Sequence, residues 1–300
     1  MIAKPFLKWA GGKTQLIKQL QYPDELKQGL ITSYYEPFVG GGAVFFDIIN
    51  NYPIKSAYLS DINVELILVY QTIQKQVSKL IDLLDIYQTE YLSLDEASRV
   101  AYFYDIRAEY NCSHKNYKRI TKNAIRQAAQ IIFLNKTCFN GLFRVNKSGK
   151  FNVPFGKYKN PKILDAENLI KVAQILQSVS LKVADFSELE KLPVNQNSFI
   201  YFDPPYRPIS KTSTFTSYST FQFDNMAQIK LANTFKLLDK TGAKLMLSNS
   251  KPIDPKDNFF VKHYADFNIM NIKANRMINS VASKRGKIAE LLITNYVVGE

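Results

Sequence analysis

The chain has 300 residues, with 39 Lys plus Arg against 26 Asp plus Glu and a formal net charge of +13. Hydrophobic residues make up 46% and are spread along the chain, which excludes wholesale disorder, and so basic a balance points to a polyanionic partner, nucleic acid before an anionic membrane. Aromatics at 13% (18 Tyr, 20 Phe) supply ring faces on which bases can stack, while two cysteines without CxxC or HExxH spacing offer no zinc site.

No apolar run approaches the ~20 residues of a membrane span, and MIAKPFLKWAGGK lacks the apolar core of a signal peptide. Cys112 and Cys138 fit a reducing compartment. The expectation is a soluble, cytoplasmic chain of one large domain or two moderate ones.

In chain order, KWAGGK (8–13) is a basic glycine loop, and a helix is predicted from Thr14. SYYE (33–36) reads as a short strand ending at PFVGGG, AVFFDII (43–49) as the apolar face of the next helix, and SAYLS (56–60) as a second strand ending at Asp61. Strand, glycine turn, helix, strand and acid form a βαβ unit of the doubly wound kind. From Val64 to Asn135 the pattern becomes helical. Ser93 with Glu96 predicts a capping box opening a helix to Tyr110, and Ile125, Ala128, Ile132 and Asn135 fall at helical spacing. In TCFNGLFRVNKSGKFNVPFGKYKNP (137–161), two extended stretches flank a hairpin turn at Asn146-Lys147-Ser148-Gly149. A helix over 166–177 returns the chain to α/β alternation. LKVADF (181–186), SFIYF (198–202) and AKLMLS (243–248) read as strands, and a helix capped by Asp224 and ended by Gly242 precedes the last. NFFVKHYADFNIMNI and IAELLITNY read as a closing antiparallel pair, with polar, mobile NRMINSVASKRGK between them. A helical and hairpin insertion, 64–164, thus interrupts an α/β domain made of 1–63 and 165–300.

Four stretches carry chemistry. Glycines just past a strand let the backbone turn tightly, and the helix after them offers free N–H groups. Asp61, 19 residues after Gly42, is placed to accept ribose hydroxyls, although GxGxxG is incomplete and a structural turn fits as well. Trp9 is the only tryptophan, and Lys13 is able to pair with a ligand carboxylate or phosphate, but the spacing is not that of a Walker loop. FNGLFRVN and FNVPFGKYKNP combine aromatics, Asn, Arg and Lys. Asn pairs bidentately with adenine and Arg with guanine, and an aromatic wedge enters the stack; a plain hairpin with a basic solvent face is the alternative. In IYFDPPYRP (200–208) a strand runs into Asp203, Pro204, Pro205 and Tyr206. An exocyclic amine on a base is a poor nucleophile because its lone pair is delocalised into the ring. Asp203 would accept from one N–H and the Pro204 carbonyl, aimed by two fixed proline φ angles, from the other, while Tyr206 stacks on the base.

The order KWAGGK, EPFVGGGAVFF, SDIN, FNGLFRVN with FNVPFGKYKNP, then DPPYRPIS resembles that of Dam-type DNA adenine-N6 methyltransferases, the group that modifies 5′-GATC and includes restriction–modification members. The likeness covers nearly the whole chain and is weakest over 65–120. It implies an α/β fold: a Rossmann-like methyltransferase sheet dependent on S-adenosyl-L-methionine, with an inserted helical plus β-hairpin DNA-recognition domain. The cofactor would be held by Trp9, Lys13, Pro37, Phe38, Gly40, Gly41, Gly42, Asp61 and Asp203, with Asp185 and Phe186 near its adenine, and no metal would be needed. The catalytic motif falls on Asp203, Pro204, Pro205 and Tyr206. Phe139 would intercalate, where several relatives have tyrosine. Asn140, Leu142, Arg144 and Pro154 would meet bases, Lys8 the outer guanine, and Asn152, Lys157 and Tyr158 would also lie on the DNA. Lys157 stands where some relatives have arginine, which suits a phosphate.

The expected activity is methyl transfer to N6 of a flipped-out adenine in double-stranded DNA, by a monomer, with or without a cognate restriction endonuclease. An RNA or protein amide methyltransferase and a non-catalytic DNA-binding relative are the alternatives. A nicotinamide oxidoreductase would leave DPPY without a role.

Overall fold

The computed structural model describes residues 2–9, 11–14, 16–113, 120–207, 223–254, 256–275 and 287–297. These form a 7-stranded sheet in the order β3-β2-β1-β4-β5-β7-β6. Strands β1 (Ser33–Glu36), β2 (Ser56–Asp61), β3 (Val179–Val183), β4 (Ser198–Phe202) and β5 (Lys244–Ser250) are parallel. β7 (Lys287–Thr294) is antiparallel to β5, and β6 (Asn268–Asn275) to β7. This is a Rossmann-like α/β fold. The chain winds outward from β1 to β3, then returns to β4 on the other side of β1, so the crevice of the doubly wound sheet opens at the carboxyl ends of β1 and β4.

Parallel strands covered on both faces read as unbroken apolar runs, and SFIYF is buried throughout. Its alternation still decides sides. Phe199 and Tyr201 join one core with α2 (Ala43–Asn51), α3 (Val64–Ser93) and α6 (Ala166–Leu176). Ile200 and Phe202 join a second core with α7 (Asn225–Asp239) and α8 (Phe259–His263). The chain between β2 and β3 also holds α4 (Glu96–Cys112) and α5 (Lys122–Thr137). α3 kinks at Gln76, where φ is −143°. It packs on β2, β3 and α6 as well as on α4 and α5, so sheet and inserted helices share one continuous core.

Several local expectations change. Where a helix is predicted from Thr14, the described residues form a 3-10 turn, Ile17–Gln19, then α1 (Asp24–Lys27). Pro23 interrupts the pattern too early for a longer helix to nucleate. The cap of α4 is Asp95, not Ser93: Asp95 Oδ1 accepts from the Ser98 N–H at 2.8 Å, while the Ser93 hydroxyl donates back to the Glu90 carbonyl. In the 137–161 segment the first arm opens with a 3-10 turn, Phe139–Gly141, instead of extended chain, and the two arms pair through single bridges, Cys138 with Phe155 and Val145 with Phe151. FFVKH is helical, and the closing strand begins only at Asn268. The interior of NRMINSVASKRGK, 276–286, lies outside the described residues, as do Pro208, Ile209 and Ser210 of DPPYRPIS.

Candidate active site and nucleic-acid interface

The carboxyl ends of β1, β2 and β4 carry Glu36, Asp61 and Asp203. Asp203 leaves β4 directly into the double-proline turn. Lys13 Nζ lies 2.8 Å from Asp203 Oδ1, 4.0 Å from Glu290 Oε2 and 4.6 Å from the centroid of the Tyr206 ring. It also donates to the Gly11 carbonyl at 3.1 Å, and its side chain is only 4% exposed. The Tyr206 hydroxyl donates to Glu290 Oε2 at 2.6 Å. Acid, cation and ring therefore meet from three separate stretches of chain.

Burial pushes the Asp203 carboxyl up to about 6, with Lys13 opposing the rise and Glu290 adding to it. Asp61 is also raised to about 6 by burial, although the Asn63 and Gly40 N–H groups donate to it at 2.9 and 3.2 Å. Glu36 is held well above the usual carboxylate range, first by burial and then by the charges of Asp203 and Asp61, against the Tyr34 hydroxyl that donates to it at 2.8 Å. Burial, then the nearby Asp203 and Glu290, raise Tyr206 well above its ordinary value, so its phenol stays protonated.

The double-proline turn is braced from behind. Gln228 of α7 donates to the Pro205 carbonyl at 3.0 Å, and Asn249 of β5 donates to Gln228 at 3.2 Å. Asn249 accepts from the Arg207 N–H, and the Ser250 hydroxyl donates to the Arg207 carbonyl. The Arg207 guanidinium pairs with Asp257 and stacks over Phe259. Buried Asn249 and Ser250 stand at the carboxyl end of β5, where the strand turns polar after Leu245, Met246 and Leu247. Among the described residues, none donates to the Pro204 carbonyl.

The glycine turn Gly40–Gly42 precedes α2. A Cβ at Gly40 would lie 2.9 Å from Trp9 Cδ1, and one at Gly42, where φ is +70°, would lie 2.6 Å from the Tyr70 hydroxyl. Close approach to Trp9 and Tyr70 thus requires glycine here, independently of any ligand. Pro37 is buried beneath the turn. Phe38 stacks obliquely on Phe186, ring centroids 5.5 Å apart, and Phe223 packs edge-on against both. Asp185, beside this aromatic wall, is exposed; it caps its turn through Ser187 and pairs with Lys230 at 2.7 Å.

The 137–161 segment packs instead against the loop that carries Lys8 and Trp9. Phe139 is 50% exposed, and Asn140 (φ +57°), Arg144, Pro154 and Lys157 (φ +54°) are exposed beside it. Arg144 Nε donates to Asn152 Oδ1 at 2.8 Å, so two of the expected DNA contacts hold each other. Leu142 and Tyr158 are half-buried, and Lys8 Nζ lies 5.1 Å over the Tyr158 ring. Buried Asn135 accepts from the Lys8 N–H and donates to the Lys8 and Gly141 carbonyls at 2.8 Å each. Trp9 stacks on Phe143 at 5.4 Å.

The D12 class N6 adenine-specific DNA methyltransferase family model matches residues 9–278. The chain belongs to this family. It is 50% identical to the Type II methyltransferase M.MjaIII of Methanocaldococcus jannaschii, over 99% of this chain and 100% of that protein. It is 38% identical to the Type II methyltransferase M1.LlaDCHI of Lactococcus lactis subsp. cremoris, over 98% and 95%. It is 31% identical to the DNA adenine methylase of Escherichia coli K12, over 96% and 94%. The protein is an N6 adenine-specific DNA methyltransferase, and DNA is its substrate.

Within this methyltransferase the structure brings Lys13, Asp61, Asp203, Tyr206 and the glycine turn to one crevice, and Lys8, Phe139, Asn140, Arg144, Asn152, Pro154 and Lys157 to one surface segment. Sequence reasoning missed Glu36, Glu290, Gln228 and Asn249. Glu36 stands in the quoted EPFVGGG, and an acid ending an apolar strand was its signal. Glu290 had none, because β7 reaches the site only through the sheet order. No helix among the described residues is long and apolar enough to cross a membrane, and no described group of His, Cys, Asp and Glu could hold a metal ion.

Proposed function

We propose that the methyltransferase transfers a methyl group from S-adenosyl-L-methionine to N6 of an adenine flipped out of double-stranded DNA, with 5′-GATC as the expected site. The observation that carries this reading is the Asp203–Tyr206 turn: a partly buried carboxylate, a carbonyl with no described donor and an aromatic ring on one braced loop. The cofactor fits this chain's residues. Asp61 and Asp203 make an acidic field suited to a sulfonium and an ammonium group, and Asp61 retains lone pairs for ribose hydroxyls. Phe38 and Phe186, with Asp185 at the rim, offer a purine an aromatic wall. Trp9, Lys13, Pro37 and Gly40–Gly42 form the floor.

S-adenosyl-L-methionine, when bound, would supply an electrophilic methyl group, its sulfonium leaving as a neutral thioether when the S–C bond breaks. Asp203 accepts from one N–H of the adenine amine and the Pro204 carbonyl from the other, which draws the nitrogen toward tetrahedral geometry and localises its lone pair. Tyr206 holds the ring plane. Once the new N–C bond forms, the amine carries a surplus proton, and Asp203, raised to about 6, is placed to take it. Residues 64–164 serve as the target-recognition domain on a catalytic domain of 1–63 and 165–300, with Phe139 filling the stack and Asn140, Leu142, Arg144, Asn152, Pro154, Lys157, Tyr158 and Lys8 on the DNA. The enzyme acts as a monomer in the cytoplasm, alone or beside a restriction endonuclease of the same site.

The test is base-resolution mapping of N6-methyladenine in DNA exposed to wild type and to Asp203→Ala. Wild type marks one short sequence; the variant marks none and still binds duplex DNA. Near-normal turnover by Asp203→Ala would remove Asp203 from the mechanism, and a different marked sequence would replace 5′-GATC.

A further inference from the structure

Glu290 enters the site from β7, the antiparallel strand inserted between β5 and β6, far from every motif the sequence advertises. A carboxylate on a strand this apolar needs a reason: its neighbours Leu291, Leu292 and Ile293 are buried, and Glu290 itself is only 12% exposed. Its Oε2 accepts the Tyr206 hydroxyl at 2.6 Å, and the same oxygen lies 4.0 Å from Lys13 Nζ, whose other carboxylate partner is Asp203 at 2.8 Å. Two carboxylates thus share one ammonium, and that ammonium lies over the ring of the tyrosine that Glu290 holds. A phenol hydrogen bonded to a charged acceptor in a partly buried site is short and strongly directional. It pins the phenol oxygen, and because a phenol O–H prefers to lie in its own ring plane, it also favours one rotation of the ring about its long axis, which the double-proline backbone alone does not do.

We infer that Glu290 is a positioning residue for methyl transfer. It locks the plane of Tyr206 against the target base and holds Lys13 between itself and Asp203. The inference rests on the reading of Asp203 and Tyr206 as the catalytic turn. Glu290 touches neither base nor cofactor in this account; it acts through Tyr206 and Lys13. The charged and titratable groups facing it are Tyr206, Lys13, Asp203 and, behind the turn, Tyr201.

The test compares Tyr206→Phe, Glu290→Leu and the double variant in single-turnover methylation, with affinities for duplex DNA and for S-adenosyl-L-methionine and the thermal midpoint measured alongside. Tyr206→Phe keeps the ring and removes only the hydroxyl. It should slow the single-turnover rate by about ten-fold while both affinities stay within about two-fold. Glu290→Leu should slow it by about ten- to a hundred-fold, and adding Tyr206→Phe should cost at most about two-fold more, because both remove the same bond. A full-rate Tyr206→Phe enzyme, or losses that multiply in the double variant, would overturn the inference, and the first outcome does not depend on Glu290→Leu folding. Asp203→Ala in the same assay separates the two levels. If it retains turnover, the catalytic turn is wrongly placed; if it is dead while Tyr206→Phe is unimpaired, only the role of Glu290 falls.

Discussion

Replacing Lys13 by methionine keeps the length of a buried, unbranched side chain and removes the ammonium 2.8 Å from Asp203. In the native site burial is the largest influence on Asp203 and Lys13 the main opposing one, and together they leave the carboxyl at about 6. An opposite charge at this range lowers an acid by about 1–3 pH units, so without it the carboxyl should sit at about 7–9. The sign follows from the chemistry. The amine needs an ionised acceptor, so the rate falls as Asp203 gains its proton, and the acid limb of the pH profile tracks its pKa. With a limb near 6 the native enzyme is about nine-tenths ionised at pH 7; the variant would be between about one-half and one-hundredth ionised.

The assay is single-turnover transfer of a tritiated methyl group at saturating cofactor and DNA, across pH 5 to 10. Saturation matters because Lys13 is also an expected cofactor contact. Asp61 titrates near 6 as well, but burial and the backbone N–H groups of Asn63, Gly40 and Ile62 set its position, so the Lys13 variant should not move it. A lower plateau with an unmoved acid limb would refute the reasoning and leave Lys13 a binding residue with no hold on Asp203.

Arg144→Ala should relax base preference at one position of the target by ~1–3 kcal/mol, read from competing oligonucleotides; a uniform loss of affinity would make Arg144 a phosphate contact. Lys157→Ala should leave sequence preference intact and reduce the slope of log affinity against log salt by about 0.9. Asn135→Ala removes a 1% exposed amide that ties the Lys8 backbone to Gly141, and should cost about 2–4 kcal/mol in urea unfolding; a loss under about 0.5 kcal/mol would mean the tie is dispensable. Gln228→Leu strips the Pro205 carbonyl of its donor and should lower the single-turnover rate by about ten-fold with DNA affinity unchanged, since only the aim of the turn is disturbed.

What the sequence reveals here is what short spans of chain decide. SYYE and SFIYF are strands end to end because apolar runs bounded by Pro, Gly or Asn leave little alternative. Asp224 caps its helix because a carboxylate three residues before a free N–H suffices. Long-range meetings were not legible. Glu290 lies 84 residues beyond Tyr206, and its contact depends on β7 inserting between β5 and β6. Gln228 and Asn249 look like ordinary amides until α7 and β5 converge behind the prolines. The glycine turn was legible as a turn, but its cause was not. Its close neighbours are Trp9 and Tyr70, from segments before and after it.

FLKWAGGK gains the most from the structure. Its Lys8, Trp9 and Lys13 each meet a different part of the molecule. Lys8 is tied to the recognition segment through Asn135 and Tyr158, Trp9 stacks on Phe143 while roofing Gly40, and Lys13 reaches Asp203. The charge layout makes the same division. Cations predominate on the exposed 137–161 segment, while Asp203 and Glu290 flank Lys13 and Glu36 lies within electrostatic reach of Asp203 and Asp61. A polyanion is thereby drawn to the exposed cations at the rim, while the carboxyls stay behind, next to the buried Lys13 ammonium.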